Sequence, residues 1–149
     1  MNRRETLLAL GAIPLLAYGE EKSPQIVRVN KTPTCGCCGL WVQHLEKAGF
    51  RTEVRDFDDL APLKQRLGVP ASLSSCHTAE VGGYFIEGHV PAADIQRLLK
   101  DRRKGKGLAV PGMPAGSPGM EVSSGRVDRY EVLLVRIDGQ TEVFSTYGT

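Results

Sequence analysis

The stretch QIVRVNKTPTCGCCGLW, residues 25–41, combines the pattern of a strand with the beginning of a helix. Residues 25–31 alternate in the manner of a half-buried β-strand, and the alternation stops at Pro33. Beyond this point, apolar residues recur near helical spacing at Leu40, Trp41, Leu45 and Ala48. Gly49 stands where a helix commonly ends, so we expect a helix up to this residue. The sequence CGCC, residues 35–38, is therefore predicted to lie at a strand-to-helix turn.

The rest of the chain predicts an α/β fold. The expected elements are a strand over residues 51–57, a helix over 59–67, two short strands around a turn at 82–83, a helix over 91–103 and a hairpin over 130–147. Residues 105–119 are rich in Gly and Pro and have no period, which predicts a long loop. The order β-α-β-α-β-β-α is that of a thioredoxin-like fold, here a mixed sheet flanked by helices with a C-terminal β-hairpin. By the same analogy, the bond between Val69 and Pro70 could be cis, as in thioredoxins.

Residues 1–19 have the layout of a secretory signal peptide, with a basic start, a short apolar run and an exit of small residues. The paired Arg3 and Arg4 also resemble a twin-arginine signal, from which Thr6 departs. Retention of this segment as a membrane tether is the remaining alternative. We therefore expect a protein that is periplasmic or otherwise exported, whose residues 20–149 form a single thioredoxin-like domain.

The charge of the mature chain is small. Loss of Arg3, Arg4 and Glu5 with the signal would lower the formal net charge from +2 to +1. Such a chain lacks the excess of positive charge that is typical of nucleic-acid-binding proteins. Residues 20–149 are long enough to bury roughly two-thirds of their unfolded surface around one core. We expect no nucleic-acid partner and no stable membrane insertion of the mature chain. A chain of this length also does not need disulfides to stabilise its fold.

Three of the four cysteines lie in the CGCC turn, and the fourth is Cys76. Cys35 and Cys38 form a C-x-x-C pair at a predicted helix N-terminus, where free N–H groups and the helix dipole favour a thiolate. In a thioredoxin-like fold, the loop that carries Cys76 would pass near the start of this helix. Four sulfur atoms could thus meet in one place.

Four chemistries can use these cysteines. Two disulfides are conceivable in a secreted chain, but three cysteines in one turn leave almost no loop to constrain. A redox dithiol fits Cys35 and Cys38 and leaves Cys37 and Cys76 without a role. A closed zinc site would want paired knuckles, which this spacing does not supply. A Cu(I) site would use all four cysteines, because thiolates select soft metal ions. The residues favour this chemistry and leave the other three chemistries open.

Four separate motifs stand within residues 25–121. They are TPTCGCCGLW (32–41), VPASLSSCHTA (69–79), GGYFIEGHVPA (82–92) and GLAVPGMPAGSPGME (107–121). Together they resemble the CopG-type periplasmic copper-resistance proteins. The resemblance implies a thioredoxin-like metal-binding domain and a role in copper tolerance that extends to copper redox chemistry. The copper ligands that it implies are Cys35, Cys37, Cys38 and Cys76.

Further candidates for the metal site are His77, Met113 and Met120. His77 adjoins Cys76 and could bind the metal or support a ligand, although strand alternation would aim it at the opposite face. Met113 lies within the Pro/Gly loop and Met120 directly follows it, and their thioethers suit Cu(I). The remaining predictions are a turn position for His89, a solvated position for His44 and a core position for Trp41.

The leading interpretation is an exported protein that binds Cu(I) in copper resistance or homeostasis, with metal ions and other copper-handling proteins as partners. Adjacent Cys37 and Cys38 diverge by about 100° around a helix, so sulfurs that bridge several ions suit them better than one shared ion. Four thiolates carry four negative charges, which up to four Cu(I) ions would neutralise. The alternative is an enzyme, a thiol-disulfide or copper oxidoreductase that uses the C-x-x-C turn.

Overall fold

The computed structural model describes residues 25–149 and shows a seven-stranded sheet with helices on both faces. In chain order, the elements are β1 (Ile26–Lys31), α1 (Gly36–Lys47), β2 (Arg51–Asp56), α2 (Ala61–Leu67), a 3-10 turn (Ala71–Leu73), β3 (Thr78–Val81), β4 (Tyr84–Glu87), α3 (Ala92–Asp101), β5 (Gly107–Ala109), β6 (Tyr130–Val135) and β7 (Thr141–Tyr147). The signal peptide predicted over residues 1–19 lies outside the described residues.

The predicted fold class is confirmed. The strands follow the order β2-β1-β3-β4-β5-β6-β7 across the sheet. β1 is parallel to β2 and β4 is parallel to β5, whereas the other neighbours are antiparallel, so the sheet is mixed. The predicted element order holds up to α3, and β6 and β7 form the predicted C-terminal hairpin.

The sequence pattern misses β5 (Gly107–Ala109), because this strand interrupts the loop predicted over residues 105–119. Its three residues pair with β4 on one side and with β6 on the other, and so short a strand has no period to detect. Gly107 is required there, because a Cβ atom would lie 2.1 Å from the carbonyl oxygen of Phe85. β5 therefore connects the C-terminal hairpin to the rest of the sheet.

Apolar clusters cover both faces of the sheet. Phe85 and Ile86 are neighbours on β4 and point to opposite faces, and each belongs to a different cluster. The larger cluster packs α1 and α3 against the sheet, and the smaller one packs the end of α2 against the opposite face. Trp41 is fully buried in the larger cluster, as predicted, and its indole N–H donates to the carbonyl oxygen of Val90 at 2.9 Å.

The peptide bond between Val69 and Pro70 is trans, and residues 25–149 contain no cis peptide bond. The expectation of a cis bond is therefore wrong. Pro70 instead precedes the 3-10 turn, where its carbonyl oxygen accepts a hydrogen bond from the backbone N–H of Leu73 at 2.9 Å. This turn carries the chain from α2 towards the segment that contains Cys76.

A buried carboxylate on α3 attaches the C-terminal hairpin to the domain. Asp94 accepts hydrogen bonds from the Ser145 hydroxyl and, at 2.7 Å, from the Tyr147 hydroxyl. The Tyr147 ring stacks on Tyr130 with the centroids 5.2 Å apart. Burial, with the Asp94 charge as a second cause, raises the pKa of Tyr130 to about 12, and burial together with the Asp94 hydrogen bond raises the pKa of Tyr147 as well. The folded state therefore favours neutral phenols.

We predict that the free energy of unfolding falls steeply between pH 10 and pH 12. An unfolded tyrosine ionises near pH 10, so the stability that the raised pKa values contribute is complete below that pH and is lost as the pH rises through the folded values. Tyr147→Phe should reduce this fall, and it should cost about 1–2 kcal/mol at pH 7 because a hydrogen bond to a buried carboxylate is lost. Urea unfolding at a series of pH values measures both effects.

Tyr84→Phe is the matched control, because the Tyr84 hydroxyl donates to the carbonyl oxygen of Arg103 and does not contact Asp94. An identical pH dependence in the wild type and in Tyr147→Phe would contradict the assignment.

Candidate metal centre

The structure brings the four cysteines together at one end of the sheet. Cys35 is the N-cap of α1, Cys37 and Cys38 lie in its first turn, and Cys76 lies in the irregular segment before β3. Their four sulfur atoms all lie within 4.8 Å of one another. Cys76, which is 38 residues or more from the other three in sequence, thus joins them in one cluster of soft donors at the predicted start of α1.

Two of the four sulfurs are bonded to each other. Cys35 and Cys38 form a disulfide, and Cys37 and Cys76 are free thiols. The Cys37 sulfur lies 3.6 Å from that of Cys35 and 3.9 Å from that of Cys76. The structure therefore describes an oxidised form of the site. Reduction of this disulfide would make all four sulfurs available as donors.

Two opposing effects act on the thiols. The first turn of α1 contains no acidic residue and its N-cap makes no side-chain hydrogen bond, so the dipole and the free N–H groups of this helix end favour thiolates at the neighbouring cysteines. Burial, followed by the neighbouring Cys37, raises the pKa of Cys76 to about 11. Cys76 is thus protonated at neutral pH without a metal. A soft metal ion would have to displace that proton.

His89 belongs to the site, although the sequence pattern predicts a turn residue. It is fully buried, and its Nε2 atom lies 3.2 Å from the Cys76 sulfur. Its Nδ1 atom lies 2.7 Å from the carbonyl oxygen of Pro118, which can only accept, so Nδ1 carries the proton. Burial lowers the pKa of His89, which keeps the ring neutral. The Nε2 lone pair therefore faces the Cys76 sulfur and is available to a metal.

The two short strands predicted around the turn at residues 82–83 could have located His89. β4 runs antiparallel to β3 and pairs Glu87 with Thr78, so the chain that leaves β4 returns to the end of the sheet from which β3 departs. His89 follows Glu87 by two residues, and Cys76 precedes Thr78 by two. Pairing of the two strands therefore places these side chains next to each other.

His77 turns towards Cys76 rather than away from it. Its Nδ1 atom lies 3.2 Å from the Cys76 sulfur, because both residues precede β3 and strand alternation does not apply to them. The His77 ring is fully buried and lies 4.4 Å from the Trp41 ring, centroid to centroid. Burial lowers its pKa to about 3, so the ring is neutral. Its Nε2 atom has no hydrogen-bond partner among residues 25–149.

The two candidate methionines differ in position. The Met113 sulfur lies 3.9 Å from the Cys37 sulfur, which brings a thioether to the exposed side of the cluster. Met120 contributes its backbone to a turn through hydrogen bonds with Gly116 and Ser117, and no contact of its sulfur with a cysteine is described among residues 25–149. Of the two, the structure brings only Met113 to the four cysteines.

His44 is less exposed than the solvated position that the sequence predicts. It lies on α1 and is partly buried, and its Nε2 atom accepts a hydrogen bond from the backbone N–H of Ala92 at 3.0 Å. Burial lowers the pKa of His44 and keeps Nε2 able to accept. The side chain therefore serves the start of α3 rather than the metal site.

Two solved structures are similar to this chain. One is named "Copper resistance protein copG- Form 2" and shares 47% identity with a TM-score of 0.79, covering 83% of this chain and 98% of that chain. The other is named "Copper resistance protein copG- Form 1" and shares 46% identity with a TM-score of 0.80, covering 85% and 99%. The family model described as "Protein of unknown function, DUF411" matches residues 73–120. No curated protein matches the chain.

The fold and the sulfur cluster define a mixed α/β protein with a candidate site for a soft metal ion. The chain belongs to the CopG family of copper resistance proteins, which confirms the resemblance carried by the four sequence motifs. The match to the family model includes Cys76, His77 and His89 and ends before the hairpin. The CGCC turn lies outside that match and within the span shared with the solved structures.

We predict two alkylatable thiols per chain before reduction and four after it, because Cys35 and Cys38 form the one disulfide among the described residues. Alkylation under denaturing conditions makes every free thiol accessible to the reagent, and the mass increase counts the modified thiols. In Cys76→Ser, the same experiment should give one thiol and then three. Four thiols before reduction would show that the disulfide is absent from the purified protein.

Proposed function

We propose that this protein is an exported copper-binding protein that holds Cu(I) on the thiolates of Cys35, Cys37, Cys38 and Cys76 and serves copper resistance. The observation that carries the proposal is the convergence of four sulfur atoms within 4.8 Å of one another. Membership of a copper resistance family supports the biological role. A resident redox dithiol alone would leave Cys37 and Cys76 without a purpose.

The donors at the site favour Cu(I) over harder ions. Thiolates and thioethers select soft metal ions, and the Met113 sulfur lies 3.9 Å from Cys37. The neutral imidazole of His89 directs a lone pair at the Cys76 sulfur and could complete a coordination position without adding charge. Among the described residues, no carboxylate joins the donor groups around the four sulfurs, so hard oxygen ligands are missing from this set.

We propose further that the site holds several Cu(I) ions joined by bridging sulfurs. Four thiolates would place four negative charges in a site where Cys38 is fully buried and the other three cysteines are partly buried. One Cu(I) ion would leave most of that charge uncompensated, which is costly away from water. Several ions would neutralise it. Sulfur atoms this close together can each bridge two ions, which suits the divergent side chains of Cys37 and Cys38.

The disulfide makes binding dependent on the redox state. Thiolates bind copper, whereas sulfurs joined in a disulfide have given up that charge, so the oxidised form retains Cys37 and Cys76 as its thiol donors. A reductant that delivers two electrons and two protons would restore Cys35 and Cys38 as thiols. Loading with Cu(I) would then belong to the reduced form.

A copper or thiol-disulfide oxidoreductase is the second candidate, because the Cys35–Cys38 disulfide at a helix N-terminus is one specific observation in its favour. As a copper reductase, the reduced pair would give one electron to each of two Cu(II) ions. One S–S bond would form between Cys35 and Cys38, their two S–H protons would pass to solvent, and two Cu(I) ions would result. The Cys37 sulfur, 3.6 Å from that of Cys35, would remain as a donor for the product.

Export is part of the proposal and rests on the signal pattern of residues 1–19. Among residues 25–149, no helix has both the length and the apolar character that crossing a membrane requires. We propose a periplasmic location, where the protein would meet copper directly and could pass it to other copper-handling proteins.

We predict that the reduced mature protein binds more than one Cu(I) per chain in an anaerobic titration, since bridging sulfurs neutralise the site only with several ions. At saturation, no cysteine should remain open to alkylation. The matched control is the same protein with the Cys35–Cys38 disulfide intact, which should bind fewer ions. Saturation at one copper per chain, with a thiol that can still be alkylated, would contradict the proposal of several bridged ions.

We predict that Cys76→Ser weakens Cu(I) binding nearly as much as Cys35→Ser does, because the two sulfurs belong to one cluster. Competition with a Cu(I) chelator measures the affinities. Ser72→Ala, at an exposed position of the 3-10 turn, is the control and should bind as the wild type does. Unchanged affinity in Cys76→Ser, together with retained disulfide reductase activity, would favour the oxidoreductase instead.

A further inference from the structure

A buried ion pair lies beside the Cys76 segment and takes no part in the donor set. Lys64 of α2 and Glu87 at the end of β4 form a salt bridge in which the Glu87 side chain is fully buried and that of Lys64 is 13% exposed. Removal of two charges from water is costly unless further hydrogen bonds satisfy them. The remaining hydrogen bonds of this pair therefore indicate what it holds in place.

Both partners of the ion pair bind the backbone of Ser75, the residue before Cys76. Glu87 Oε1 accepts a hydrogen bond from the Ser75 N–H at 2.7 Å, and Lys64 Nζ donates to the Ser75 carbonyl oxygen at 2.6 Å. Lys64 Nζ also donates to Ser74 Oγ at 3.0 Å, so its three N–H groups all have partners. Lys64 and Glu87 thus hold both backbone polar groups of one residue.

The same carboxylate fixes the chain after Cys76. Glu87 Oε2 accepts a hydrogen bond from the Thr78 hydroxyl at 2.6 Å. Thr78 is the first residue of β3 and is paired with Glu87 across the sheet. The ion pair therefore anchors the chain on both sides of Cys76, at Ser75 and at Thr78.

Cys76 needs such an anchor because residues 74–77 form neither helix nor strand. No ladder of backbone hydrogen bonds sets the position of this segment. The Cys76 sulfur is nevertheless placed 3.9 Å from the Cys37 sulfur and 3.2 Å from His89 Nε2. Side-chain charges supply the constraint that regular secondary structure does not.

We propose that Lys64 and Glu87 are positioning residues of the metal site, which hold Cys76 at the distance where its sulfur shares a site with the CGCC turn. The inference rests on the proposed function only in that Cys76 is a metal ligand there. It adds two residues that touch no metal and that no sequence motif of cysteine, histidine or methionine reveals. A purely stabilising ion pair would instead leave the Cys37–Cys76 distance unchanged when it is removed.

Dibromobimane tests the distance without any metal, because this reagent fluoresces strongly once it has bridged two nearby thiols. In the non-reduced protein, its targets are the free thiols of Cys37 and Cys76. We expect most of the wild-type protein to be bridged between them, and the bridged fraction to fall at least fivefold in Lys64→Met and in Glu87→Gln. Mass spectrometry separates the bridged chains from those in which each thiol is modified singly.

Asp94→Asn is the matched control, because Asp94 is also a buried carboxylate with several hydrogen-bond donors and contacts no cysteine. Its bridged fraction should stay within twofold of the wild type. An equal loss in Asp94→Asn would assign the effect to general loosening and overturn the inference. Wild-type bridging in Glu87→Gln, which is nearly isosteric and carries the test alone where Lys64→Met does not fold, would also overturn it.

Cu(I) titration of the same variants separates this inference from the proposed function. A lower copper capacity in Lys64→Met than in Asp94→Asn, alongside reduced bridging, supports both. Reduced bridging in a protein whose wild type binds no Cu(I) supports the positioning role and overturns the proposed function. Intact bridging in both ion-pair variants refutes the positioning role whatever the copper result.

Discussion

The antiparallel pairing of β3 with β1 is the constraint on which the site depends. β1 leads directly into the CGCC turn, and Thr78 at the start of β3 pairs with Asn30 near the end of β1. A residue just before β3 must therefore reach the same end of the sheet as that turn. The buried Asn30 amide, which donates to the Thr78 carbonyl oxygen at 3.1 Å, strengthens the pairing where it matters most. Cys76 meets the other cysteines because the strands fix where it must emerge.

A second, parallel pairing brings the Pro/Gly loop to the same place. β5 runs alongside β4 in the same direction, so the residues that follow β5 leave the sheet near those that follow β4. Two carbonyl oxygens of the loop then accept hydrogen bonds. That of Gly112 accepts from the Ser75 hydroxyl at 2.6 Å, and that of Pro118 accepts from His89 Nδ1 at 2.7 Å. A Cβ atom at Gly119 would lie 2.9 Å from the backbone nitrogen of Trp41, so this glycine lets the loop approach α1. A loop without regular structure is in this way held against the cluster.

Local patterns predicted the parts of the fold that local physics determines. Alternation and helical spacing identified β1 and α1, and the analogy with a thioredoxin-like fold placed Cys76 near the CGCC turn. The sequence did not predict β5, because three residues show no period and the strand forms only by pairing with β4 and β6 on its two sides. His89 escaped because a lone histidine after a glycine carries no signal until strand pairing places it beside Cys76. The Lys64–Glu87 pair escaped for the same reason, since its partners are 23 residues apart and only the tertiary fold joins them.

The unequal burial of the sulfurs gives the cluster an inner and an outer side. Cys38 is fully buried, whereas Cys37 is partly exposed and lies next to Met113, whose side chain is 52% exposed. A donor group on another molecule would therefore reach Cys37 before it could reach Cys38. Ligand exchange would start at the outer sulfur while the inner ones still held the metal, so transfer would proceed through a shared intermediate rather than through a free ion. At the proposed copper site, this difference in burial would therefore set the order in which the sulfurs give up the metal.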